Sequence, residues 1–232
     1  MSSLNNFSNP LVYVPVFNEE NTIGQVIEHI RHYLKNVDIL IVDDGSKDSS
    51  AQIALSYQVH LIRHEQNLGV GGALNSAIEF ALSGEYSALL QLDGDGQHQL
   101  DETLIKELEL NSRAALIIGN RFHPRSEYQI SRTRKFAINC LRLILRLRFN
   151  LELHDPTSGF RFFGRDSLKL LQNNIKFEYL QDTVVVIKML ALEGYEIAEV
   201  DSIFKPREHG ESSIRRLELV KAYLKTIWTL LI

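Results

Sequence analysis

"LVYVPVFNEENTIGQVIEHIRHYLKNVDILIVDD", residues 11–44, contains two kinds of apolar spacing in one short run. Its ends, "LVYVPV" (11–16) and "DILIVDD" (38–44), are short and almost continuously apolar, as strands buried on both faces are. Between them Val26, Ile27, Ile30 and Leu34 recur at helical spacing. The same alternation continues outward. "VHLIRH" (59–64), "YSALLQLD" (86–93) and "AALIIGNR" (114–121) read as strands, while "SSAQIALSY", "GGALNSAIEFAL" and "DETLIKELEL" read as helices. Strands alternating with helices predict an α/β fold whose mostly parallel sheet is covered on both faces. In such sheets ligands bind at the carboxyl ends of the strands. The polar clusters fall there: "FNEEN" after the first strand, "DDGSKDSS" after the second, "DGDGQH" after the fourth.

Bulk properties narrow the class. The chain has 232 residues, 44% hydrophobic and 23% charged, which suits one globular domain with a sizeable core. A formal net charge of −4 gives no support to a nucleic-acid binder. The single cysteine, Cys140, excludes an intrachain disulfide and fits a reducing compartment. The opening "MSSLNNFSNP" has no apolar core of signal-peptide type, and no run approaches the ~20 apolar residues of a membrane span.

Asp93 and Asp95 in "LLQLDGDGQHQLDE" (89–102) invite a metal. A calcium loop starting at Asp93 would need Gly at its sixth position and Glu at its twelfth, where His98 and Leu104 stand. A phosphatase-type aspartate pair fails because Gln97 replaces the hydroxyl or valine that pattern requires. "NLGVGGALNSA" (67–77) has Leu74 where a dinucleotide fingerprint needs its third glycine, which disfavours a nicotinamide-dependent enzyme. "VDDGSKDSS" is compatible with turn and helix-cap chemistry. It is equally compatible with a carboxylate that accepts hydrogen bonds from a nucleoside.

Taken in order, "PVFNEE", "VDDGSKD", "NLGVGGALN", "LDGDGQH", "GNR", "DPTSGFRFF" and "REHGESS" resemble the family 2 glycosyltransferases of the GT-A fold. Within that family the sequence is most similar to the dolichyl-phosphate mannosyltransferase group, which acts on polyprenyl phosphates. The resemblance covers roughly residues 10–215. It implies a nucleotide-binding half over about 10–120, an acceptor half over 121–215 and a C-terminal amphipathic helix over 213–232. It also implies an inverting transferase that uses a nucleotide-diphosphate sugar and Mg²⁺ or Mn²⁺. Pro15, Phe17, Glu19 and Asp44 would border base and ribose. Asp93, Asp95 and Gln97 would be the metal motif, with Asp95 and Gln97 as inner-sphere ligands. Such oxygen ligands suit Mg²⁺ or Mn²⁺, which keep substrate phosphates and water in their remaining positions.

On the acceptor side, Arg121 and Arg134 would hold the acceptor phosphate, alongside the pieces Asp155, Ser158 and Arg161. Arg207 and Ser212 would close on the donor diphosphate. Asp182 in "YLQDTVV" sits like the general base that hydroxyl acceptors require, but Gln181 replaces its usual acidic neighbour. A phosphate acceptor needs no base, since a phosphate monoester is already anionic at neutral pH, with a second pKa of about 6. The expectation is therefore sugar transfer to a polyprenyl phosphate at the cytoplasmic membrane face. A sugar-hydroxyl acceptor is the alternative, and a non-enzymatic scaffold would release no nucleotide. Between Tyr128 and Leu151 lie Arg132, Arg134, Lys135, Arg142, Arg146 and Arg148 with no acidic residue. On a helix, Phe136, Cys140, Leu143 and Leu147 adjoin that basic face, a design suited to an anionic membrane surface. The sequence stops in "TIWTLLI", whereas many relatives continue into transmembrane helices; a separate membrane subunit is the other route to the bilayer.

Overall fold

The computed structural model describes residues 4, 7–124, 126–128, 130–172, 181–206 and 216–231. The opening stretch folds as β1 (Pro10–Val16), α1 (Ile23–Tyr33) and β2 (Asp38–Asp43). β1 and β2 pair in parallel, with Leu11 opposite Asp38 and Val16 opposite Asp43. Then come α2 (Ser50–Ser56), β3 (His60–Arg63), α3 (Gly69–Ser83), β4 (Ala88–Gln91), β5 (His98–Gln99), α4 (Glu102–Leu110) and β6 (Leu116–Asn120). The C-terminal part adds α5 (Arg132–Phe149), β7 (Arg161–Gly164), α6 (Arg165–Leu171), a π-helical turn (Gln181–Val185), α7 (Val186–Leu192), β8 (Ile197–Asp201), β9 (Ile203–Phe204) and α8 (Arg216–Leu231).

Seven strands form one sheet in the order β3-β2-β1-β4-β7-β6-β8. β7 runs antiparallel to both of its neighbours, β4 and β6, while the other pairs are parallel. Sequence patterning missed this strand. "RFFG" follows the polar "DPTSG" and is only four residues long, too short for periodicity to identify. Burial on both faces makes it a strand.

Alternation along β1, β2 and β4 divides the core into two layers. Leu11, Tyr13, Leu40, Val42 and Leu89 pack with Ala73, Leu74, Ala77 and Ile78 of α3 and with Ile138, Leu141 and Leu145 of α5. Val12, Val14, Ile39, Ile41 and Leu90 face the other way, against Ile23, Val26, Ile27 and Ile30 of α1 and Leu104, Ile105 and Leu108 of α4. The α1 residues follow the i, i+3, i+4, i+7 spacing that the sequence shows. Asp101 caps α4, accepting the Leu104 N–H at 2.7 Å, and Ser131 caps α5 by accepting from the Arg134 N–H. In α8 the sequence pattern sets Val220, Tyr223, Leu224, Ile227 and Leu231 opposite Glu218, Lys221 and Lys225. The packed face is turned from this: Tyr223 and Leu230 are buried, whereas Leu224 and Leu231 are exposed. Thr226 lies on the buried side and bonds the Ala222 carbonyl, which removes the polar obstacle to packing that face.

Candidate active site

The loops after β1 and β2 are zipped together at the carboxyl edge of the sheet. Asn18 donates its N–H to the Ser46 hydroxyl at 2.9 Å and accepts the Lys47 N–H at 2.9 Å. Glu19 donates its N–H to Ser50 Oγ at 2.8 Å, and Glu20 donates its N–H to Asp48 at 3.1 Å. Asn18 takes the left-handed conformation, φ 56°, which asparagine tolerates better than most residues. Asp48 is pushed up by burial but pulled down further by hydrogen bonds from Ser50 and the Glu20 N–H, so its carboxyl lies below the ordinary value and is a fixed anion. Phe17 stays exposed at the rim, as a side chain meant for a ligand's ring face would be.

Asp44 caps a helix, though not the next one. Its two carboxylate oxygens accept the N–H groups of Leu68 and Gly69, both at 2.8 Å, at the start of α3. His64 Nδ1 lies 2.7 Å from the same carboxylate, and its Nε2 lies 2.9 Å from Ser76 Oγ. Asp44 therefore holds the "NLGVGG" loop against the edge of the cleft. Its buried neighbour Asp43 accepts the Ser46 N–H at 3.0 Å and pairs with Arg63 at 3.1 Å.

The turn after β4 brings Asp93, Asp95 and Gln97 within one loop. Asp95 is buried and accepts the Gln97 N–H at 3.0 Å; the Gln97 amide nitrogen donates to the Lys205 carbonyl at 2.9 Å. That leaves the amide oxygen of Gln97, the atom a hard cation would use, on the other arm of the side chain. Three constraints fix the turn. Thr22 donates its hydroxyl to the Gly94 carbonyl at 2.8 Å. A Cβ at Gly94 would sit 2.9 Å from the Pro15 carbonyl, so β1 and the turn meet backbone to backbone. A Cβ at Gly159 would lie 2.9 Å from both Asp93 oxygens, so only glycine leaves that carboxylate its place. His98 Nδ1 accepts the Asp93 N–H at 3.1 Å, which puts the ring proton on Nε2. A cavity of about 170 Å³ opens beneath, lined among others by Thr22, Gln25, His29, Asp95, His98 and Lys205. His29 accepts the Leu100 N–H there; burial, with the nearby Lys205 and His32, holds its pKa below the ordinary value. Among the described residues no three His, Cys, Asp or Glu side chains group as a self-sufficient metal cage. Two carboxylates and an amide oxygen still fit a cation that takes its other ligands from a diphosphate and water.

The corner around Arg121 is built on a buried ion pair. Arg121 donates from Nε to Asp155 at 2.6 Å and from Nη2 to Asp155 at 2.9 Å and to Thr157 Oγ1 at 3.1 Å. Burial works against its charge, but the Asp155 carboxylate outweighs burial and holds the guanidinium above its ordinary pKa. The Arg121 guanidinium lies 4.4 Å from the Tyr128 ring centre and that of Arg134 lies 5.7 Å from it, so the two arginines flank one aromatic ring. Asp155, grouped in sequence with acceptor ligands, is instead the counter-ion that positions Arg121. Arg161 is also not an acceptor ligand. It is fully buried and donates to the carbonyls of Ser158 (2.9 Å), Pro156 (2.9 Å) and Thr183 (3.1 Å). It thereby braces the 156–158 loop against the π-helical turn that carries Asp182. Nothing in the spacing of "GFRFF" distinguishes such a brace from a phosphate-binding arginine.

Pro15, Phe17, Glu19, Asp44, Asp93, Asp95, Gln97 and Arg121 fall along the carboxyl edge, and Arg134 joins Arg121 at the Tyr128 ring. Arg207, Ser212 and the side chain of Asp182 lie outside the described residues. Tyr128, Thr22, His98 and Gly159 escaped sequence reading: Thr22 and Gly159 act on Gly94 and Asp93, far away in the chain, and Tyr128 and His98 belong to no motif of their own.

The sheet is mostly parallel, and the turn bearing Asp93 and Asp95 stands at its carboxyl edge beside the loops after β1 and β2. The profile of "Glycosyl transferase family 2" matches residues 11–171, and the chain belongs to that family. It is 29% identical over 211 residues to an undecaprenyl-phosphate mannosyltransferase of Micrococcus luteus, covering 88% of this chain and 86% of the relative. A polyprenol monophosphomannose synthase of Mycolicibacterium smegmatis is 25% identical over 223 residues, covering 93% and 84%. Among solved structures, glucosyl-3-phosphoglycerate synthase from Mycobacterium tuberculosis in complex with Mg²⁺ and uridine diphosphate superposes with a TM-score of 0.66 at 20% identity, covering 96% of this chain and 78% of that one. The fold is GT-A and the protein is a glycosyltransferase.

Proposed function

We propose that the protein transfers a sugar, with inversion, from a nucleotide-diphosphate donor to a polyprenyl phosphate at the cytoplasmic membrane face. The observation that carries this reading is the pair of arginines flanking Tyr128 beside the carboxylate turn. A guanidinium pair suits a phosphate nucleophile better than a neutral hydroxyl. The names of the Micrococcus and Mycolicibacterium relatives, both polyprenyl-phosphate enzymes, support the same acceptor class.

In this reading, residues 10–120 hold the donor and 121–215 the acceptor. Pro15, Phe17 and Glu19 border the nucleoside, and Asp44 keeps the 67–72 loop shaped against it. Asp93, Asp95 and Gln97 would hold Mg²⁺ or Mn²⁺, which when bound neutralises charge on the leaving diphosphate. Arg207 and Ser212 are proposed to contact that diphosphate. Arg134, and the Nη1 arm of Arg121 left by Asp155, orient an acceptor phosphate oxygen toward the anomeric carbon. The new carbon–oxygen bond forms opposite the breaking bond to the nucleotide diphosphate, which departs with the bonding pair. No proton needs to be removed from a phosphate monoester, so Asp182 is left with orienting the acceptor or stabilising its turn.

Surface chemistry supports a peripheral position on the membrane. Among the described residues no helix is long and apolar enough to cross a bilayer. On α5, Phe136, Leu143 and Leu147 are 71, 56 and 74% exposed, beside Lys135, Arg142 and Arg146. α5 packs on α8, which exposes Leu224, Trp228 and Leu231. Apolar stripes flanked by cations suit an anionic bilayer surface. A separate membrane subunit would cover the same face.

Comparing two variants on one donor tests the acceptor class. With a phosphate nucleophile, Arg134→Ala loses most activity and Asp182→Asn loses little. With a hydroxyl nucleophile Asp182→Asn loses about 10²–10⁴-fold, the usual contribution of a general base, and that ranking would refute the proposal.

A further inference from the structure

We propose that Tyr128 and Tyr223 donate their phenolic hydrogens to the acceptor's phosphate, which makes α8 part of the acceptor site. The inference rests on the polyprenyl-phosphate reading above and adds to it two binding residues and an element.

Three polar atoms in this corner are buried with no hydrogen-bond partner among the described residues: Tyr128 Oη, Tyr223 Oη and Arg134 Nε. They come from three separate segments, the stretch before α5, α8 and α5 itself. A buried donor left unpaired carries its full desolvation cost, so folded proteins keep few of them and rarely gather them. Two of them, Tyr128 Oη and Arg134 Nε, belong to one cluster around the Tyr128 ring. Arg134 and Arg121 lie 5.7 Å and 4.4 Å from the centre of the Tyr128 ring. Burial raises the Tyr128 phenol above its ordinary value against the lowering by Arg121 and Arg134, and the Tyr223 hydroxyl is close enough to add to it. The phenol therefore stays protonated at neutral pH and has a hydrogen to give. Tyr223 is 4% exposed, and α8, which carries it, packs on α5.

A phosphate monoester is what such a set would accept. It brings acceptor oxygens and negative charge to a place that has two guanidinium groups and two hydroxyls seeking an acceptor. A prenyl alcohol brings neither the charge nor enough lone pairs. The apolar remainder of the acceptor would leave along the exposed faces of α5 and α8. This explains why the same two helices carry both the inner hydroxyl and the outer apolar stripes.

The test is calorimetric binding of a ten-carbon prenyl phosphate to the full chain without donor, with the prenyl alcohol of equal length as control. Tyr128→Phe and Tyr223→Phe should each weaken prenyl phosphate binding about tenfold to a hundredfold, the range for a hydrogen bond to a charged group. Alcohol binding and nucleotide affinity should not change. Each variant without ligand should melt at or above the wild-type temperature, because an unpaired buried hydroxyl has been removed; a merely structural hydroxyl predicts a lower one. Undiminished phosphate affinity in both Phe variants, with Arg134→Ala impaired, would overturn the tyrosine assignment and leave the acceptor class standing. Failure of the wild type to bind prenyl phosphate at all would overturn both.

Discussion

Replacing Asp155 with asparagine tests the corner around Arg121 at its foundation. Asp155 is fully buried and accepts from Arg121 Nε at 2.6 Å, Arg121 Nη2 at 2.9 Å, the Arg121 N–H at 3.3 Å and Thr157 Oγ1 at 3.2 Å. Asparagine keeps the shape but removes the charge, and its NH₂ group must face donors. The Arg121 guanidinium, itself buried, then loses its compensation. Breaking a buried ion pair from one side costs about 3–5 kcal/mol, far above the ~0–1 kcal/mol of an exposed pair. At about 2–4 °C per kcal/mol for a domain of this size, the melting temperature should fall by about 6–20 °C. Urea unfolding should show a lower midpoint at an unchanged slope. Asp155→Leu combined with Arg121→Met should be less destabilised than Asp155→Asn alone, because no charge is left stranded. Stability of Asp155→Asn within about 1 kcal/mol of wild type would refute the view that this pair organises the corner.

Two further outcomes follow from the site and the surface. Asp95→Asn should abolish sugar transfer and weaken Mn²⁺ binding in the presence of nucleotide while leaving the melting temperature nearly unchanged, since it removes a charged ligand from a loop; near-wild-type turnover in chelator-treated buffer would remove the metal assignment. Cosedimentation with anionic liposomes should succeed at low salt, fail at high salt and weaken when Arg142 and Arg146 are both neutralised.

Much of the N-terminal half was legible because its signals are local. Buried parallel strands announce themselves as apolar runs, α1 by its i, i+3, i+4, i+7 stripe, and the carboxylate turn by two aspartates one residue apart. The C-terminal half was less legible because its order is made by distant partners. β7 is a strand only because β4 and β6 flank it, and four residues carry no period of their own. Arg121 and Arg161 look alike as arginines near strands, yet one pairs with a carboxylate 34 residues on and the other holds three carbonyls. Asp44 looked like a nucleoside ligand or a cap for the following helix, but its carboxylate caps α3, 25 residues away. On α8, Leu224 and Leu231 follow a helical stripe that hydropathy assigns inward, while Tyr223 and Thr226 are the side chains that pack.

The acceptor class is tested most directly by product formation from the full chain. Candidate nucleotide-diphosphate sugars with Mn²⁺ would be offered a polyprenyl phosphate and the corresponding polyprenol in parallel, with the lipid product identified by mass and its anomeric configuration by NMR. The account predicts one equivalent of nucleotide diphosphate per sugar transferred, a sugar-phosphate-lipid of inverted configuration, and no product from the polyprenol. Equal transfer to the polyprenol, retention of configuration, or no nucleotide release with any donor would contradict it.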